Sequence, residues 1–197
     1  MKAGVSGQCS LIARACLLIS ALAVACSANE PLPAQVDSGF EFRDDAFSFA
    51  NFAHNDDGFD LTPDLTARMC GVELACANHA LPCVATDTAA AWTARVNETL
   101  YEGRSEGFAV LSQLLSLGKL KPADFGAKTS AELQLQHNAK LQAELAYWAG
   151  TQSVPSALAS DKHFSASNVM PFLAQALSHD ATERYRLAIA IRTKTGF

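Results

Sequence analysis

The sequence predicts an α+β domain: a helical half built around one buried central helix, leading into the start of a small antiparallel sheet. Three observations predict it. Behind Ser105-Glu106-Gly107, the run Phe108 to Leu117 is almost wholly apolar: only Ser112, Gln113 and Ser116 form a thin polar strip beside Phe108, Val110, Leu111, Leu114, Leu115 and Leu117. A helix of that composition has to be wrapped on most of its circumference. Several flanking segments carry apolar residues at helical spacing behind good capping residues. Finally, Tyr185, Leu187, Ile189 and Ile191 alternate with Arg184, Arg186, Ala188, Ala190 and Arg192, which is the period of a strand.

Taken in order, the chain opens with a segment that does not belong to the domain. Lys2 and Arg14 are the only charges before residue 30, and Ala15 to Ala25 is an uncharged run of mostly apolar residues. That run is too short to cross a bilayer as a helix, so residues 1–25 read as a secretory signal peptide. Ala23-Val24-Ala25 fits a small-residue cleavage site. Followed by Cys26 it also fits a bacterial lipobox, in which Cys26 is acylated and becomes the new N-terminus. The lipoprotein is preferred, with a secreted soluble form as the alternative. Residues 26–39, with Pro31 and Pro33, then form a flexible tether to a domain over 40–197. Ser27 carries no charge, which favours the outer membrane, facing the periplasm or the exterior.

Charge and cysteine usage agree with that compartment. Without Lys2 and Arg14, 13 basic residues remain against 20 acidic ones, a net of −7. Such a balance argues against nucleic acid or an anionic membrane surface as partner. With Cys9 and Cys16 in the signal and Cys26 at the lipid site, Cys70, Cys76 and Cys83 are left. In an oxidising compartment two of them should pair. Cys76 and Cys83 flank a short loop with Asn78, His79 and Pro82, and are expected to form the bridge, worth about 2–3 kcal/mol. Cys70 then reads as a small buried apolar residue. Three cysteines with His79 lack the paired spacing of a zinc site, and neither metal nor cofactor is expected.

Within the domain, Phe40 to Phe52 is rich in phenylalanine and reads as a lid lying across it. His54 to Asp60 is acidic. With Gly58 at the sixth position of a calcium loop, Asn55, Asp57 and Asp64 fall in register, but Ala53 stands where a carboxylate is required, so a solvated turn is expected. Thr62-Pro63-Asp64 opens a helix carrying Leu65, Met69 and Val72. The next runs from Asp87 or Thr88 to Leu100, with Ala91, Trp92, Val96, Thr99 and Leu100 on its apolar face. Ser105 caps the central helix and Gly118 stops it. Pro122 to Phe125 reads as a short helical turn closed by Gly126. Thr129 or Ser130 caps a long helix to Ala149, with Leu133, Leu141, Leu145, Trp148 and also His137 on one stripe. Ser165 or Ser167 caps another through Leu177, with Pro171 in its first turn or two. A strand over 184–192 and a turn at Lys194-Thr195-Gly196 follow, so the chain is expected to be truncated within its sheet.

One segment could carry chemistry. Gly103-x-Ser105-x-Gly107 matches the nucleophile elbow of α/β-hydrolases, though the elbow needs a strand before it and residues 92–100 read as helix. Asp124, Asp161 and Asp180 with His137, His163 and His179 could complete a triad in the right order. A serine hydrolase using Ser105 is therefore one reading, and Ser105 as a plain N-cap of a helical binding module is another.

A more specific resemblance covers roughly residues 46 to 193. Gly103-Arg104-Ser105-Glu106-Gly107-Phe108-Ala109-Val110-Leu111-Ser112 resembles the segment G-x-C-E-G-M-A-V-L-S of an uncharacterised family of secreted and lipid-anchored bacterial proteins with a papain-like core. Leu61 to Met69, Cys76, Cys83, Trp92 and Tyr147-Trp148 to Gln152 are similar to it as well. The resemblance implies a nucleophile at the N-terminus of the central helix and a histidine on a later strand. The chain departs from the pattern twice. Ser105 replaces the thiol, and Phe197 comes before the place of the histidine. The leading expectation is thus a cell-envelope lipoprotein with a degenerate papain-like domain. It is anchored to the membrane through Cys26, does not catalyse as given, and takes a peptide or protein ligand.

Overall fold

Thr62, Pro63 and Asp64 begin a helix for the reasons their order suggests. The Thr62 hydroxyl accepts from the Leu65 amide at 3.3 Å, Pro63 fills the position that has no hydrogen bond to lose, and Asp64 faces the positive end of the dipole. The computed structural model of the chain describes residues 35–51, 60–158 and 163–179. The signal peptide (1–25), Cys26, the acidic loop up to Phe59 and the strand expected over 184–192 lie outside the described residues.

The elements are α1 (Phe42–Asp45), α2 (Pro63–Cys70), α3 (Val72–Ala75), α4 (Asp87–Leu100), α5 (Ser105–Ser116), α6 (Ala139–Thr151), α7 (Pro155–Leu158) and α8 (Ala166–His179). Two 3₁₀ turns, Pro122–Phe125 and Ser130–Glu132, join α5 to α6. The described residues are mostly helical and contain no strand, so the sheet half of the α+β expectation finds no support among them. Their one β feature is an isolated antiparallel bridge between Cys76 and Ala85.

α5 is wrapped as its composition demands. From Glu106 to Leu117 every residue is buried or half-buried. One side meets α6, where Leu111 and Leu115 interlock with Leu141 and Leu145, and Phe125 and Leu133 close the cluster. Gly107 allows this approach, because a Cβ there would overlap the Leu145 carbonyl oxygen and lie 3.1 Å from the Ala149 Cβ. Another side is crossed by the phenylalanine-rich segment. Phe47 and Phe49 meet the Phe108 ring edge-on at 5.4 and 5.5 Å, and the Ser116 hydroxyl donates to Asp45 at 3.1 Å.

α6 shares the central role with α5. Its small residues Ala146 and Ala149 pack with Leu61, Val96 and Leu100, and Leu61 rests against Gly150. Arg68 of α2 pairs with Glu144 of α6 through both nitrogens and stacks 3.8 Å over the Tyr147 ring. Burial pulls the Arg68 pKa down, but the Glu144 hydrogen bond and charge outweigh it and leave a net rise.

Four local expectations are corrected. The helix expected from Thr129 or Ser130 starts only at Ala139: the chain turns at His137 (φ 59°), and Asn138 caps α6 by accepting from the Leu141 amide while donating to the Phe125 carbonyl. Leu133 is buried outside that helix, and His137 is not on its stripe. α2 stops at Cys70 because Gly71 (φ 86°) breaks it, which puts Val72 in α3. The buried face of α4 holds Ala89, Thr93, Val96 and Leu100, with Ala91 and Thr99 exposed. Thr93 is accommodated there because its hydroxyl bonds both Thr66 Oγ1 at 2.7 Å and the Ala89 carbonyl at 2.8 Å. The fourth correction, at Ser105, is described with the site.

Candidate functional site at the head of the central helix

Gly103 (φ 133°) turns the chain into α5, and its lack of a side chain lets Asn51 come close, since a Cβ would stand 2.6 Å from Asn51 Nδ2. Asn51 Oδ1 accepts the Arg104 amide at 2.8 Å, satisfying one of the donors a helix start leaves open. The N-cap of α5 is Arg104 and not Ser105, and Arg104 makes no side-chain capping bond. Ser105 is the first helical residue. The capping expectation fails because the helix begins one residue earlier: the Phe108 amide, which a Ser105 cap would accept, donates to the Arg104 carbonyl at 3.0 Å.

Arg104 turns inward. Its side chain is fully buried, and Nη2 donates to Asp60 Oδ1 at 2.6 Å. Burial lowers the Arg104 pKa, and the Asp60 carboxylate offsets part of that. The ion pair ties the chain just ahead of α2 to the head of α5. Nothing in the sequence singled out Arg104, Asp60 or Asn51 for this role, because it depends on contacts 44 and 53 residues apart.

Ser105 itself is exposed, and its hydroxyl makes no hydrogen bond among the described residues. Among the described residues none of the acids and histidines considered as partners is hydrogen-bonded to it. Asp124 lies in the first 3₁₀ turn, where its carbonyl accepts from Lys140 Nζ at 2.9 Å; His137 is at the turn before α6; His163 and His179 are exposed around α8. Asp161 and Asp180 lie outside the described residues. The head of α5 therefore offers an accessible hydroxyl at the positive end of a helix dipole, with no base hydrogen-bonded to it.

Further along α5 is a cavity of about 380 Å³ between Ala109, Ser112 and Gln113, the segment at Ser38 and Phe40, and Leu173 and Leu177 of α8. It does not include Ser105. Cys76 and Cys83 form the expected disulfide, and Cys70 is buried beside that bridge in the cluster of Ala67, Ala75 and Ala89. No described helix is long and apolar enough to cross a membrane. Comparison with family models, curated proteins and solved structures finds no match to this chain.

Proposed function

We propose that this chain is a lipid-anchored protein of the bacterial cell envelope whose helical domain follows a papain-like plan, holds a peptide or protein partner, and does no covalent chemistry. The observation that carries the reading is the state of Ser105: exposed at the head of a wrapped helix, yet without a hydrogen-bonded base. A serine hydroxyl is a poor nucleophile until a base takes its proton. The placement matches what a papain-type enzyme would do with a thiol; the side chain present does not. The Cys76–Cys83 bridge supports an oxidising compartment, in keeping with residues 1–25 as a signal peptide and Cys26 as the lipidated residue.

Two measurements test the reading. A fluorophosphonate probe should leave the purified chain unlabelled; labelling of the wild type that disappears in Ser105→Ala would establish a serine hydrolase and overturn it. Cells fed an alkyne-bearing fatty acid should incorporate it into the wild type and not into Cys26→Ala. Equal signals from the two would remove the anchor.

A further inference from the structure

The loop closed by Cys76–Cys83 is held by the disulfide and by hydrogen bonds, while its apolar side chains Leu81 and Val84 stand in solvent. The disulfide joins its ends. Within it the Ala77 amide donates to the Val84 carbonyl at 2.7 Å, and just outside it the Thr86 amide donates to the Ala75 carbonyl at 2.9 Å. Asn78 bonds across the loop twice, to the Pro82 carbonyl at 2.8 Å and from the Val84 amide at 3.1 Å. Asp64, from the first turn of α2, accepts the Cys83 amide at 2.6 Å. The period of an extended pair places successive side chains on opposite faces. Cys76 and Ala85 therefore turn inward, and Ala77 and Val84 outward. Val84 is 61% exposed and Leu81, at the tip, 62%.

Such an arrangement is costly in water and is not a consequence of looseness. Apolar side chains in a mobile loop could fold back onto the domain, but these are fixed outward by the hydrogen bonds and the bridge. A rigid outward apolar group is what a docking surface needs, because little conformational freedom is lost on binding. The carboxylates near it along the chain are not matched by lysine or arginine there, and its one histidine, His79, faces Glu73 at 3.1 Å. Between Arg68 and Arg95 the chain has no lysine or arginine. Asp64 and Glu73 reach the loop through Cys83 and His79, and Asp87 follows two residues after Ala85; all three are exposed.

We infer that the disulfide-pinned loop around Leu81 and Val84 is a preformed docking surface for a polypeptide segment that carries apolar side chains next to lysine or arginine. The acidic rim selects against anionic lipid and against acidic peptides, and it steers a basic segment onto the apolar centre. This inference rests on the binding-module reading above and names where its partner sits.

The test uses the full chain as bait for a displayed random-peptide library. Selected peptides should combine lysine or arginine with leucine, valine, isoleucine or aromatic residues, and should bind at least tenfold more weakly to the Leu81→Ser/Val84→Ser variant, whose thermal midpoint stays that of the wild type because both side chains are exposed. Glu73→Lys should weaken them severalfold, and added salt should do the same. Peptides that bind both forms equally would overturn this surface while leaving a binding module elsewhere. Failure to enrich any basic apolar peptide would overturn it too, as would self-association or binding to uncharged vesicles that the double substitution abolishes.

Discussion

Gly107→Ala offers a direct measurement of how closely the two central helices approach. Two effects oppose one another. In an open helix the change stabilises by about 1 kcal/mol, because alanine loses less backbone entropy than glycine. Here the new methyl would overlap the Leu145 carbonyl oxygen and press at 3.1 Å on both the amide nitrogen and the Cβ of Ala149. Two of those three atoms belong to the α6 backbone, so relief requires α6 to move as a body, against the Leu111, Leu115, Leu141 and Leu145 packing. Overpacking of a tight core costs roughly 1–3 kcal/mol, and backbone obstacles put this case at the upper end. The net expectation is a loss of about 1–2 kcal/mol, seen as a fall in Tm of about 2–8 °C for a chain of this size. Circular dichroism on heating measures it. A Tm that rises, as propensity alone requires, would refute the close contact of α5 with α6.

Other consequences follow from single contacts. Asp60→Asn removes the carboxylate that Nη2 of the buried Arg104 meets and should cost about 2–3 kcal/mol, more than Arg104→Met, which removes the buried charge itself; chemical denaturation gives both values. Cys76→Ser/Cys83→Ser frees a loop with a sequence separation of 7 and should cost about 2–3 kcal/mol, with the same loss in the wild type under reductant. Ser105→Ala should change stability by under about 0.5 kcal/mol, since the hydroxyl is exposed and does not cap; a loss near 1 kcal/mol would restore the capping role. Burial, first of all, raises the Tyr147 pKa above its ordinary value. The unfolded chain therefore releases that proton at lower pH than the folded one, and stability falls as pH rises past about 10. Tyr147→Phe should flatten that alkaline decline, and an unchanged slope would show that Tyr147 does not contribute to it.

What could be read in advance was local. The Thr62-Pro63-Asp64 start, the extent of α4, the stop at Gly118 and the Pro122–Phe125 turn all follow from hydrogen bonds and φ angles within a few residues. The Cys76–Cys83 pair was legible because the two cysteines flank a short polar loop with Asn78, His79 and Pro82, whereas Cys70, equally near to Cys76 in the chain, falls in the helix opened by Thr62. The start of α6 was not: Ser130 is a good cap by type, but Asn138 takes the role because the Phe125 carbonyl is there for it to bond. Ser105 is likewise a good cap by type, but the Phe108 amide it would accept is taken by the Arg104 carbonyl, so the helix starts one residue sooner.

By itself the amino-acid order determined that residues 105 to 117 form a helix that must be enclosed, because no local arrangement hides that much apolar surface. Only the tertiary structure decided what encloses it: Leu141 and Leu145 of α6 on one side and the phenylalanine segment on another. It also decided that the side chain buried at the helix head is Arg104 while Ser105 faces water. A charge can go inside only if its counter-charge arrives, and Asp60 arrives from 44 residues away.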